Sequence, residues 1–187
     1  EICGLRWSDI DFNASTISVN RTVEYIPHEG LIFTAPKTKA SNRTFKVGAN
    51  CMDMLREYQL YQKAERLRVG SMWARTVQVE NGKTVQNDLL FTSWDGTPFD
   101  LERLTTWFPH FLRAHDLPAV HFHSLRHTYA SLMIAAHVPI TTVSGRLGHA
   151  QTSTTTDIYA GFIRTADAAA SDAMEIVFDN IREKSRA

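Results

Sequence analysis

One change of hydrophobic period organises this chain. From Thr16 to Tyr25 the residues Ile17, Val19, Arg21, Val23 and Tyr25 alternate onto one face, as in a strand, whereas from Asp100 onward apolar residues recur at helical spacing. Two more β-type runs, Leu31 to Ala35 and Arg43 to Val47, complete a predicted three-stranded antiparallel sheet. A long helix capped by Asn50 follows, with Met54, Leu55, Tyr58, Tyr61 and Leu67 on one side. Helices are expected over about Leu101–Ala114, Ser124–Ala136 and Ile140–Leu147. A short one precedes Tyr159 and a last one, about Thr165–Glu183, carries the stripe Met174, Val177, Phe178 and Ile181. Pro109 is expected to kink or divide the first of them. Asn81-Gly82 between Val77, Val79 and Val85 marks an extra β-hairpin near residues 76–86, read as a peripheral insertion. The expected fold class is α+β, mainly α: a small three-stranded antiparallel sheet packed on a helical bundle.

At 187 residues the chain suits one domain, and 43% hydrophobic with 21% charged residues excludes disorder. No run approaches the roughly 18 apolar residues of a spanning helix, so no membrane is expected. Cys3 and Cys51 are too few for a disulfide framework and point to a reducing cytoplasm. Glu1-Ile-Cys-Gly-Leu-Arg-Trp7 has helical spacing without an N-cap or initiator Met, as expected of a fragment of a longer protein. Net charge is zero, which by itself favours no polyanionic partner, yet Pro36 to Arg75 holds nine basic residues against three acids. That window, with Lys37, Arg43, Lys46, Arg56, Lys63 and Arg66, can serve phosphate on one face or simply keep the surface solvated.

Neither GxGxxG nor GxxxxGK[ST] occurs, so nucleotide-binding loops are unsupported. His123 and His127 have the i, i+4 spacing of a metal pair, but Ser124 stands where HExxH has its Glu, and Arg126 between them repels a dication. The segment suits an anion better. Arg126 offers a planar fork for two phosphoryl oxygens, and His123, three residues earlier, can add a donor or take a proton.

In order, the chain presents Gly4-Leu-Arg-Trp-Ser-Asp-Ile10, Lys39 at a polar turn, His123-Ser-Leu-Arg-His127, Leu147-Gly-His149 and Tyr159. With these motifs it resembles, over essentially its whole length, the catalytic domain of the tyrosine recombinases, the phage-integrase family, and especially integrases of conjugative transposons. The resemblance implies that Arg6 is the first catalytic arginine, Lys39 the β-hairpin lysine, His123 and Arg126 the HxxR box, His149 the LGH histidine and Tyr159 the nucleophile. Read singly, Arg6 is a surface partner of Asp9, Lys39 a turn lysine, His149 a helix cap and Tyr159 a core or interface residue. The ordered set is what carries the resemblance.

The implied chemistry cuts and rejoins DNA through a 3′-phosphotyrosyl intermediate with no metal, ATP or other cofactor. Arg6 and Arg126 clamp the phosphoryl oxygens, His123 is the base and Lys39 the donor to the 5′-oxygen. Asp9 is expected to hold the Arg6 guanidinium or a neighbouring histidine. The implied partners are double-stranded DNA attachment sites and a tetramer of recombinase protomers, the isolated chain being a monomer with weak DNA affinity. Core-binding and arm-binding domains would precede it, and the C-terminal helix would dock on a neighbouring protomer. Three departures stand out: His149 and Tyr159 are ten positions apart, one more than the common family spacing. Ser124 stands where Asp is frequent, and Ala160-Gly161 follows Tyr159 where a histidine often lies two places on. The competing readings are a type IB topoisomerase-like enzyme, a catalytically silent DNA-binding module with Ser124 to Leu147 as helix-turn-helix, and a metalloenzyme on His123 and His127.

Overall fold

The computed structural model describes residues 1–26, 28, 30–34, 41–79 and 82–148. The chain falls into two compact units, Glu1–Phe122 and His123–Ala187. Its described elements run β1 (Ile10–Asp11), β2 (Thr16–Val19), β3 (Thr22–Ile26), β4 (Gly30–Thr34), β5 (Arg43–Lys46), α1 (Ala49–Val69), β6 (Thr76–Gln78), β7 (Thr84–Gln86), α2 (Leu101–Ala114), α3 (Ser124–Ala135) and α4 (Ile140–Leu147). The fold is compatible with the expected α+β class, with two antiparallel sheets, then α1, a third sheet (β6–β7) and the remaining described helices. Among the described residues no helix is long and apolar enough to cross a membrane.

A three-stranded antiparallel sheet is present; two of its strands fall in the predicted runs Thr16 to Tyr25 and Arg43 to Val47, but the third is β1 and not the run Leu31 to Ala35. Its order is β1-β2-β5, with Ile10 opposite Ile17 and Ile17 opposite Phe45, while β3 and β4 form a separate hairpin that pairs Val23 with Phe33. The run from Thr16 to Tyr25 is broken at Asn20 and Arg21. There both side chains bond the Asp9 carboxylate, and the chain passes from one sheet to the next. Alternation continues across the break, so period alone reads one strand where there are two. After β1 the Asp11 carboxylate accepts the Asn13 and Ala14 amides, both at 2.8 Å, fixing the predicted turn.

Helix α1 begins after Gly48, with Asn50 already inside its first turn and making no side-chain cap. Its inward stripe also differs from the expected one. Met52, only 1% exposed, packs with Ile10, Ile17 and Leu90, and Leu55 and Tyr58 lie against that cluster, whereas Met54, Tyr61 and Leu67 are exposed. The face is rotated because a polar residue completes it: Gln62 donates to the Leu89 and Leu90 carbonyls at 3.2 and 2.9 Å and accepts the Trp7 indole N–H at 2.7 Å. A stripe defined by apolar residues alone cannot include a glutamine that satisfies buried backbone.

The β6–β7 hairpin forms where Asn81-Gly82 predicts it, pairing Val77 with Val85 across the turn. It is not peripheral. Val77 is buried in one cluster with Cys3, Val23, Phe33 and Leu89, so the hairpin supplies part of the core beneath β3 and β4. Asn87, itself buried, then spans neighbouring loops by donating to the Ala74 and Gly96 carbonyls at 2.7 and 2.6 Å. Helix α2 is capped by the Asp100 side chain on Glu102 N–H at 3.0 Å and runs through Pro109 undivided. In the second unit Ala130 of α3 meets Val143 and Leu147 of α4 in a small core flanked by Met133, Ile134 and Val138. The expected helix before Tyr159 and the one over 165–183 lie outside the described residues.

Gly96 combines φ of +80° with a position where an added Cβ would stand 2.5 Å from the rigid Trp73 ring. Gly96→Ala is expected to destabilise the first unit by about 2–4 kcal/mol through backbone strain and overpacking, read from urea unfolding. Cys3 is buried, and burial pushes its thiol pKa up, while Cys51 is exposed. A thiol reagent at neutral pH should modify Cys51 in the native protein and reach Cys3 only after unfolding, as counted by mass spectrometry.

Candidate active site

Arg6 is held through its main chain. Leu5 to Trp7 lies strand-like against residues 88–90: Leu90 N–H bonds Leu5 O at 2.8 Å, Trp7 N–H bonds Asp88 O at 2.9 Å, and Arg6 bridges Leu89. The chain then tightens into a 3-10 turn, Trp7–Asp9, rather than the predicted helix. Arg6 N–H donates to Asp9 Oδ2 at 2.8 Å and Asp9 N–H to Arg6 O at 3.0 Å, a reciprocal lock across the turn. The Asp88 carboxylate caps the same turn from Ser8 N–H at 3.0 Å.

The Arg6 side chain is treated differently. Its guanidinium carbon stands 5.8 Å from the Phe33 ring centroid, and its buried Nε has no hydrogen-bond partner among the described residues. Burial, and next the neighbouring Arg21 charge, push its pKa down, with Asp9 and Asp88 acting the other way. A guanidinium that has lost water and gained no bonded carboxylate is stabilised by whatever anion next reaches it.

Asp9 is expected from the sequence to hold that guanidinium or a neighbouring histidine. Its buried carboxylate instead fixes the Arg6 backbone, accepts Asn20 Nδ2 at 3.1 Å through Oδ1 and forms an ion pair with Arg21 through Oδ2. Arg21 is the member of this constellation that sequence reasoning passed over. It was read as one residue of an alternating strand, although a charged residue in the series Ile17, Val19, Arg21, Val23 marks a face where a buried partner is needed.

In the second unit His123 occupies the N-cap of α3 and its carbonyl accepts Arg126 N–H at 3.0 Å. The Arg126 guanidinium donates to the carbonyl of Leu147. Gly148, at φ 73° and ψ 28°, ends α4 in a left-handed cap, which leaves its last carbonyls without helical donors. Arg126 thus satisfies a terminal carbonyl and places a cation at the negative end of α4. Two of the motifs, HSLRH and LGH, are joined by this contact. The His123 and His127 rings meet edge to face at 5.3 Å, and Arg146 Nε donates to Tyr129 Oη at 2.7 Å on the same helix pair.

Lys39, His149 and Tyr159, together with Lys37, lie outside the described residues. Of the basic window, Arg43 on β5 forms a two-pronged ion pair with Glu1 at 2.9 Å for each bond, and Arg56 and Arg68 hold Asp53 and Glu65 one turn away. Lys46 is exposed on β5. Lys63 and Arg66 line an open groove with Trp73 and Arg75 at the C-terminal end of α1. Asp53 and Glu65 are already among the three acids of that window, so of these partners Glu1 alone adds negative charge from outside it.

The geometry can be set beside known proteins. The chain is 34% identical over 171 residues, 87% of its length, to a tyrosine recombinase XerC-like protein of Caldanaerobacter subterraneus subsp. tengcongensis. It is 24% identical over 85% of its length to the ICEBs1 integrase of Bacillus subtilis. It spans 42% and 40% of those relatives' own lengths. The fold is similar to that of the Tn1549 transposon integrase, solved in complex with a circular intermediate DNA, at TM-score 0.69 and 18% identity, covering 91% of this chain and 53% of that one. It is also similar to XerA recombinase, at TM-score 0.60 and 21% identity over 91% of this chain and 52% of that one. The model of the phage integrase family matches residues 1–162, from the Arg6 turn past Tyr159. The chain belongs to the phage integrase family, the tyrosine recombinases.

Proposed function

We propose that this chain is the catalytic domain of a site-specific DNA recombinase, an integrase of a mobile element, that cleaves and rejoins DNA through a 3′-phosphotyrosyl intermediate. The observation that carries the reading is Arg6: a backbone locked at both N–H and C=O, ending in a guanidinium whose buried Nε has no partner. In this reading Arg6 and Arg126 clamp the two non-bridging oxygens of the scissile phosphate. Their charge opposes the charge that builds up as phosphorus becomes pentacoordinate. Tyr159 Oη attacks phosphorus and its proton passes to His123. The bond to the 5′-oxygen breaks, and Lys39 protonates that leaving group. His149 hydrogen-bonds a phosphoryl oxygen. Retaining the phosphoryl group on tyrosine conserves the bond for religation, so neither ATP nor a metal enters the scheme.

Phenol has an ordinary pKa of about 10, so the nucleophile needs both a base and nearby positive charge at neutral pH. Arg126 supports this role through its anchorage on Leu147 O, which ties the HxxR arginine to the residue two places before His149. Both units act together as one catalytic domain in this proposal. Lys37, Arg43, Lys46, Arg56, Lys63 and Arg66 meet the DNA backbone, and the segment near 165–183 docks on a neighbouring protomer in a tetramer on DNA in the cytoplasm. That the Tn1549 integrase was solved with DNA supports the choice of partner.

A nicked suicide duplex of the element's attachment site in EDTA tests the reading, with the chain alone and joined to its preceding domains. Parent protein should form a 3′-linked covalent adduct and Tyr159→Phe none; absence of adduct from every parent form would overturn the proposal. Arg126→Lys loses the fork that reaches phosphate and Leu147 O. It should lower single-turnover cleavage by about 10²–10³-fold at saturating DNA.

A further inference from the structure

Asp9 poses a problem for a free Arg6. A buried carboxylate bonded to a residue's own backbone is a ready partner for that residue's guanidinium, and a paired guanidinium is poorly placed to receive a phosphate. Yet Asp9 accepts from Arg6 N–H, from Asn20 Nδ2 and from Arg21, while the Arg6 Nε has no partner among the described residues. We propose that Arg21 is a positioning residue that keeps the Arg6 guanidinium open to phosphate by occupying the Asp9 carboxylate that would otherwise take it. The inference rests on the reading of Arg6 as a phosphate clamp.

The surroundings fit Arg21 to this task. Its side chain is 19% exposed against 4% for that of Asp9, so it closes the carboxylate from the outer side. Its Nη1 also reaches Gly4 O at 3.4 Å, and a Cβ at Gly4 would stand 3.3 Å from both Arg21 Cγ and Val23 Cγ2. The bare main chain of Gly4 is therefore the wall along which the arginine stem runs. Asp88, the other carboxylate acting on Arg6, is engaged by Ser8 N–H. The turn thus places two acids beside Arg6 and gives each another partner.

The test is a double-mutant cycle of Arg21→Gln and Asp9→Asn, with Arg21→Lys as the conservative variant, read by adduct formation at saturating suicide duplex and by NMR of the Arg6 side chain. Loss of a signal in Arg6→Lys assigns the Arg6 Nε–Hε resonance. In the parent it should show fast rotation and rapid exchange, as for an unpaired guanidinium. Arg21→Gln should shift it, slow its rotation and exchange, and lower the adduct rate at least tenfold with DNA affinity little changed. Adding Asp9→Asn to Arg21→Gln should return the resonance to the free form and the rate to that of Asp9→Asn alone; Arg21→Lys should stay within about threefold of the parent. A parent-like Arg6 resonance in Arg21→Gln would overturn the inference. So would a double variant slower than Asp9→Asn, a comparison that stands even if Arg21→Gln alone does not fold. Failure of the parent to form any adduct would sink the recombinase reading instead, and the NMR arm decides the pairing without DNA.

Discussion

The arrangement around Arg6 in the first unit depends on one buried carboxylate. Asp9 bonds the Arg6 backbone, the Asn20 amide and the Arg21 guanidinium, so it fixes the turn after Arg6 and the break between β2 and β3 together. A buried charge is costly unless fully partnered, and removing one partner of such a group costs about 3–5 kcal/mol. That cost is why the Arg6–Asp9 turn and the Asn20-Arg21 break, 11 to 12 residues on, converge here. It also explains how Arg6 can be rigid at its backbone while its Nε has no partner among the described residues: the neighbouring acid is bonded to Arg21 and Asn20.

The second unit solves a related problem with a helix end. Four C-terminal carbonyls of a helix lack internal donors, and Gly148 makes the stop abrupt. Arg126 supplies a donor to Leu147 O from a facing helix, so the HxxR arginine is anchored by the same bond that satisfies the fold. In both units an arginine proposed to meet phosphate is oriented by contact with main chain, through its own backbone for Arg6 and through the Leu147 carbonyl for Arg126. Main-chain anchors hold position without neutralising charge, which a carboxylate anchor would do.

Much was legible without coordinates. The α4 limits, the start of α3, the extent of α2 and the Val77–Val85 hairpin follow from period, Pro139 and Asn81-Gly82. Less legible were features in which a polar side chain does a core residue's work. Gln62 completes the inner face of α1, and Asn87 ties Ala74 to Gly96. Neither adds to hydrophobic periodicity, so the α1 stripe was read about a turned face and Leu67, 83% exposed, was counted inside. Arg21 was missed for the same reason, since its partner lies twelve residues away on another element.

The sequence by itself determined the order of elements and the residue types available for phosphate chemistry, because these reside in local period and in ordered motifs from Arg6 to Tyr159. Only the tertiary structure decided which acid meets which cation. Asp9 could pair with Arg6, three residues away, or with Arg21, across a strand break, and the choice turns on burial, on the room Gly4 leaves and on competing backbone donors. Ion-pair selection is a three-dimensional contest among groups with equal formal charge, and spacing along a chain does not rank the contenders.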